Sequence, residues 1–246
     1  MFTEINCLIK AKKYLDLKYN ESSKNNLSKI KYDHLIDCLN ILKYYNIKNY
    51  LCYGSAILLH DIGRFYEKGS DSLKFDHAEY GYNLLKAEFT NDPLVLLPIK
   101  YHEEDTEWRR LINIDSYFLN CSKKQKEKII KGCKLVRDID IISNMKNLGR
   151  KNLKNWKVGI INEKIIDNLY NDRISVKSDI LNEYDEISYI LCGLNLISYN
   201  RSLKYIKKEK VVDKLINKQL DMVLENKKLY DSTIELYKFI KVKFKL

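Results

Sequence analysis

Turn-forming residues are scarce: 8 glycines and 2 prolines in 246 residues. Long helices with few tight connections are the expectation. No window approaches 18 continuous apolar residues, so no transmembrane helix is predicted. The opening stretch, Met1 to Leu15, is broken by Glu4, Lys10, Lys12 and Lys13. It does not read as a secretory leader, and the cytoplasm is the expected compartment. The 6 cysteines, at 7, 38, 52, 121, 133 and 192, form no Cys-x-x-Cys pair. Most sit in apolar helical patterns, as buried free thiols in reducing surroundings do. Histidine is rarer still, at 4.

What is present supports a core. Hydrophobic residues make up 45% of the chain, and one compact all-α domain spanning 1–246 is the simplest reading. Lys and Arg number 44 against 33 Asp and Glu, a net charge of +11. The lysines are spread along the whole length, which fits a solvated surface. The charge also suits an anionic partner, either a small phosphorylated substrate or nucleic acid.

Apolar spacing near 3.6 predicts helices over 2–19, 28–45 and 48–62. The second carries Ile30, Leu35, Cys38, Leu39, Ile41 and Leu42, and Thr3 is a candidate N-cap of the first. A fourth helix follows Asp76, to about Phe89. A fifth begins at Asn91-Asp92-Pro93 and runs to about Glu103 with Pro98 inside. Residues 104–122 read as a loop with a short helical turn, and 123–145 as a sixth helix. The stretch 146–175 is the least regular, with Trp156 to Ile161 a strand or a packed loop. From Ser175 the chain is helical again, with breaks near Asn200 and Asn226.

The chain is organised around Leu58-Leu59-His60-Asp61-Ile62-Gly63-Arg64-Phe65. An imidazole beside a carboxylate can hold one divalent ion, glycine lets the chain turn away, and an arginine fork suits a phosphate. The four histidines, His34, His60, His77 and His102, fall on four separate predicted elements, and an apolar helix then supplies Asp138 and Asp140. Ligands gathered from several helices into a bundle core build di-metal sites. Asp138 and Asp140 point about 200° apart on one helix, so only one can face a given site.

These residues resemble the HD-domain metal-dependent phosphohydrolases, and in particular a bacterial subgroup with a His-Asp-Ile-Gly-Arg-Phe core. Ile30-Lys31-x-x-His34, Ala56 to Phe65, Asp76-His77-Ala78-x-x-Gly81, Ile99 to Glu103 and Val136-Arg137-Asp138-Ile139-Asp140 match its motifs in order. The likeness spans about 28–210, with the metal-site core at about 28–145 and the helices of 175–246 packed on it. It implies an all-α HD-domain bundle. It further implies His34, His60, Asp61 and Asp140 as ligands of a first ion, with His77 and His102 added in two-metal members, where Asp61 bridges. Asp140 is preferred over Asp138 because the family's ligand follows a residue after the Arg-Asp pair. The Gly-Tyr-Pro signature of the cyclic-dinucleotide branch is missing. Ile141 and Ser143 stand where a basic and an acidic residue are usual.

The expected chemistry is hydrolysis of a phosphate mono- or diester, a nucleotide by preference, by metal-activated water. One or two Mn, Fe, Co, Ni or Zn ions suit mixed His/Asp ligation, and with no thiolate in the set a structural zinc site is disfavoured. Asp61, Arg64 and Lys31 are the candidate catalytic residues, Arg64 and Lys31 as phosphate contacts. Glu103, Asp71 and Asp76 are candidates to orient ligands, the two aspartates equally to cap the fourth helix, and Trp108, Arg109 and Arg110 either shape a pocket or pack. Two other readings stay open: an HD-type nuclease acting on nucleic acid, and a non-catalytic regulator that keeps the fold.

Overall fold

The centre of the N-terminal unit is a very short helix. In the computed structural model, which describes residues 2–22, 26–45, 51–67, 75–103, 108–151 and 161–246, a 3-10 turn at Leu51–Tyr53 leads into six helical residues, Gly54–Leu59. Six residues are too few to hold a helix in water, so burial must supply the stability. All six are buried, and Ala56, Ile57, Leu58 and Leu59 are sealed completely. A helix apolar on every side belongs inside a protein. Each sealed aliphatic side chain contributes about 1.5–3 kcal/mol.

We number the helices α1 (Phe2–Glu21), α2 (Asn26–Leu42), α3 (Gly54–Leu59), α4 (His77–Glu88), α5 (Pro93–Lys100), α6 (Trp108–Ile114), α7 (Ser116–Leu119) and α8 (Lys123–Arg150). Helices α1, α2 and α5 pack around α3, and α4 packs on α5. Helix α8 continues past the sixth expected helix by five residues. The chain divides into two compact units, 1–140 and 141–246, and the boundary falls within α8. All described elements are helical, as expected of an all-α chain, and none of the described helices is long and apolar enough to cross a membrane.

Local chemistry explains the ends. Asp92 caps α5 by accepting from Leu94 N–H, with Pro93 at the first turn. Asp76 caps α4 by accepting from Glu79 N–H. The expected loop at 104–122 is mostly helical where described. Trp108 and Ile112, one turn apart, are buried with Leu97, Tyr101, Phe118, Ile129 and Cys133. Asp115 starts the next helix by accepting from Tyr117 and Phe118 N–H. Of the two roles open to it, Trp108 takes packing in the core. On α2 the expected stripe holds from Leu35 to Leu42, but Ile30 is exposed. The helix expected over 48–62 is really the 51–53 turn, α3, and a second 3-10 turn at Ile62–Tyr66. Residues 48–50, the Thr3 cap, Asp71 and most of the candidate strand at 156–161 lie outside what is described.

The second unit holds α9 (Glu163–Tyr170), α10 (Glu183–Cys192), α11 (Asn200–Lys208), α12 (Val211–Met222) and α13 (Lys227–Phe244). Helix α9 falls in the stretch that reads as irregular in sequence. A further break at Glu209–Lys210 separates α11 from α12, with Lys210 in the left-handed region. Helix α10 packs against α9 and α12, and α12 against α11 and α13. The six cysteines are all free of disulfides, and Cys38, Cys133 and Cys192 are buried while the other three are half-buried.

Candidate metal centre

Five segments deliver the donors. Helix α2 carries Lys31 and His34, and the residues just after α3 are His60 and Asp61. His77 opens α4, His102 and Glu103 follow α5, and Asp140 lies on α8. The four imidazoles and Asp61 are all buried.

The helix ends aim two of the rings. His60 Nδ1 lies 2.8 Å from Ile57 O, and His102 Nδ1 lies 2.7 Å from Ile99 O. Each carbonyl belongs to the last turn of a helix, where it has no amide partner in the helix. A carbonyl can only accept, so each Nδ1 carries the hydrogen and each Nε2 presents its lone pair. His77 is aimed differently: its Nδ1 lies 3.1 Å from Glu103 Oε2. A carboxylate beyond the imidazole is the usual partner of a metal-binding histidine.

The Nε2 atoms then converge in two pairs, His34 to His60 at 3.4 Å and His77 to His102 at 3.3 Å. Asp61 stands between the pairs. Its Oδ1 is 3.0 Å from His77 Nε2 and 3.4 Å from His102 Nε2. Its Oδ2 accepts from Lys31 Nζ at 3.1 Å and lies 3.9 Å from His34 Nε2. Asp140 Oδ1 closes the first pair, 3.0 Å from His34 Nε2 and 3.5 Å from His60 Nε2. Asp138, two residues earlier on α8, is fully buried.

Charge is arranged to match. Burial pushes the Asp61 carboxyl up, but Lys31 and the imidazoles of His102 and His77 bring it well below the usual carboxylate range. Burial likewise opposes ionisation of Asp140, and His34 and His60 outweigh it. Burial holds the His77 pKa down against the pull of Asp61. Burial also opposes charge on His60, yet Asp140 and Asp61 lift its pKa. A field that favours a proton there favours a divalent cation more strongly. The His77–His102 pair carries the fit: both Nδ1 atoms face oxygen acceptors, so two lone pairs face each other across 3.3 Å. A cation between them removes that repulsion. The donor set of imidazoles and ionised carboxylates suits a divalent transition metal.

The two sequence-predicted cations meet carboxylates. Lys31 is bonded to Asp61. Arg64 donates through Nη2 to Glu103 Oε1 at 2.7 Å and through Nη1 to Glu67 Oε2 at 3.2 Å. Its Nε is buried, has no hydrogen-bond partner among the described residues, and lies 3.7 Å from Asp61 Oδ1. Arg109 lies over the ring of core Trp108, 5.5 Å from its centroid. Two residues escaped sequence reasoning. Glu67 is one, and its spacing of three from Arg64 was the available signal. Cys38 is the other: it lies one helical turn after His34, and its Sγ is 3.6 Å from His34 Nε2. Among the described residues, His34, Cys38 and His60 form one of three donor groups that could hold a metal, beside His60, Asp61 and His102, and His77, His102 and Glu103.

Gly63 makes the approach of the segments possible. A Cβ there would lie 2.1 Å from the carbonyl oxygen of His77. The 3-10 turn after Asp61 can thus rest directly on the start of α4, which brings His77 to Asp61.

The family model of the HD domain matches residues 32–145. This stretch is an HD domain. The match contains all four histidines together with Asp61 and Asp140, and leaves Lys31 just before it. HD domains are in general metal-dependent phosphohydrolases, and the buried His/Asp groups of this one can hold a metal. No curated protein and no solved structure matches the chain.

Proposed function

We propose that this HD domain hydrolyses a phosphate mono- or diester, of nucleotide type, using one or two divalent transition-metal ions. His34, His60, Asp61 and Asp140 would hold the first and His77, His102 and Asp61 the second. The observation that carries this reading is the placement of Asp61, with one carboxylate oxygen toward each imidazole group. When bound, such ions polarise a phosphoryl oxygen and acidify water.

The chain's own residues prepare the site. Lys31 fixes Asp61 through Oδ2 and keeps it ionised. The carbonyls of Ile57 and Ile99 hold His60 and His102 with Nε2 inward. Glu103 joins His77 to Arg64, which ties the ligand to the guanidinium. The buried, unpartnered Arg64 Nε is a ready donor for a phosphoryl oxygen beside Asp61. The net charge of +11 favours a second reading, a nuclease acting on nucleic acid.

The deciding experiment combines metal analysis of the purified chain with a screen of phosphomonoesters, phosphodiesters and single strands in Mn²⁺, Co²⁺ or Ni²⁺. Turnover of small esters is expected. Cleavage of strands alone would select the nuclease. A chain that binds no metal and turns over nothing would overturn both.

A further inference from the structure

The buried thiol beside His34 lies outside the donor set read from the sequence and outside the ligands named in the proposed function. We propose that Cys38 is a metal ligand, adding sulfur to the site of His34, His60, Asp61 and Asp140. The inference rests on the proposed metal centre and extends it to the identity of the ion.

Helix geometry supplies the placement. His34 and Cys38 are four residues apart on α2, so they share a face. Both are buried in the same interior as His60. Cys38 Sγ is 3.6 Å from His34 Nε2, and the donor atoms of His34, Cys38 and His60 all lie within 4.8 Å of one another. These spacings can be compared with the edges of a coordination tetrahedron. With zinc–sulfur bonds of about 2.3 Å and zinc–nitrogen bonds of about 2.0–2.1 Å, sulfur and nitrogen sit about 3.6 Å apart and two nitrogens about 3.4 Å apart. The structure holds Sγ and Nε2 of His34 at 3.6 Å, and Nε2 of His34 and His60 at 3.4 Å. Asp140 Oδ1, at 3.0 and 3.5 Å from the two nitrogens, adds an oxygen at similar spacing.

A hydroxyl or methyl group in place of this thiol would fill the space but not offer a soft donor. Thiolate ligation releases the Sγ proton to water as the sulfur–metal bond forms. It favours Zn²⁺, Fe²⁺ or Co²⁺ over Mn²⁺ or Mg²⁺ at this position. The second imidazole group has no comparable sulfur among its donors, His77, His102 and Glu103. The two positions would therefore differ in metal preference.

The test uses the full chain loaded with Co²⁺, its cobalt content measured directly, and the near-ultraviolet band that a thiolate gives on Co²⁺. The wild type should show the band. Cys38→Ser should lose it while keeping its helix content and the cobalt held by His77 and His102. Cobalt bound without a band in the wild type overturns the proposal and leaves the metal centre standing. A band that survives in Cys38→Ser assigns the sulfur elsewhere and also overturns it. If Cys38→Ser does not fold, X-ray absorption on the zinc-loaded wild type decides: a sulfur shell at about 2.3 Å supports Cys38, and a shell of nitrogen and oxygen alone excludes it. A chain that takes up no cobalt or zinc at all removes the centre itself, and this inference with it.

Discussion

The two units bury polar groups in opposite ways. In the C-terminal unit, donors meet acceptors. Gln219 Nε2 donates to Ser188 Oγ at 2.7 Å and to Tyr184 O at 3.1 Å, and Tyr184 and Thr233 share a hydroxyl contact at 2.8 Å. Asp185 accepts from the N–H groups of Asn162 and Leu181 at 3.0 and 3.1 Å. Such a network pairs every named donor, leaves the Gln219 Oε1 atom without a partner among the described residues, and fixes helices to one another. At the candidate metal centre of the N-terminal unit, acceptors face acceptors. The Nε2 atoms of His77 and His102 meet at 3.3 Å with Asp61 Oδ1 close to both. Burying that arrangement is costly unless a cation joins it. The contrast separates polar groups that hold the fold from polar groups held ready for something else.

The sharpest test of the contrast is Asp61→Ala. It should remove the bridge between both imidazole groups and cut hydrolysis by about 10³-fold or more, as the loss of several kcal/mol at the transition state implies. Circular dichroism should show the helices intact. If activity persists, Asp61 is a packing residue and the contrast fails.

Gly63→Ala strikes both kinds of group at once. Its Cβ would meet the His77 carbonyl at 2.1 Å. Overpacking should cost about 1–3 kcal/mol and lower metal uptake by the His77–His102 pair before the His34–His60 pair. Thermal melting and metal titration read the two effects separately.

Gln219→Leu provides the converse. It removes the two bonds that Gln219 donates to Ser188 Oγ and the Tyr184 carbonyl, which stay joined by the Ser188 hydroxyl, at a cost of about 0.5–1.5 kcal/mol each. The Tm should fall by about 2–4 °C for each kcal/mol, with bound metal per folded chain unchanged. Altered metal content here would mean that the network also serves the site.

The smallest expected effect concerns acid. Burial raises the Asp213 carboxyl, but the Tyr237 hydroxyl at 2.6 Å and the Lys241 ammonium bring it below 3.8. The unfolded chain therefore binds that proton more readily than the folded one. The stabilisation is complete above the unfolded value and is lost as pH falls through the folded value. Asp213→Asn should lower Tm near pH 6 by about 1–3 °C and reduce the further loss on acidification. An unchanged slope in melting against pH would show that this carboxylate contributes nothing to acid stability.

Much of the site was legible because its chemistry is local in sequence. His60-Asp61 ends an apolar run, and the i−3 carbonyls that aim His60 and His102 follow from a histidine just past a helix end. The all-α class followed from few glycines and prolines and from apolar spacing. Other features were hidden because they depend on distant segments. Ile30 continues the stripe of His34 and Cys38, yet is exposed, since periodicity cannot say where a neighbouring helix stops covering a face. Trp108 reads equally as a pocket or a packing residue and is a core residue, because Leu97, Ile129 and Cys133 come to it from other helices.

The sequence by itself determined the helical class, the four histidines as a set, and the HD domain to which their order belongs. Only the tertiary structure decided the partners. It set Asp140 against His34 and His60, and tied Lys31 to Asp61 and Arg64 to Glu103. The physical reason is one of range. Residue type and helical spacing are written along the chain, whereas donor-to-donor distances of 3–4 Å arise only when helices far apart in sequence bury their faces together.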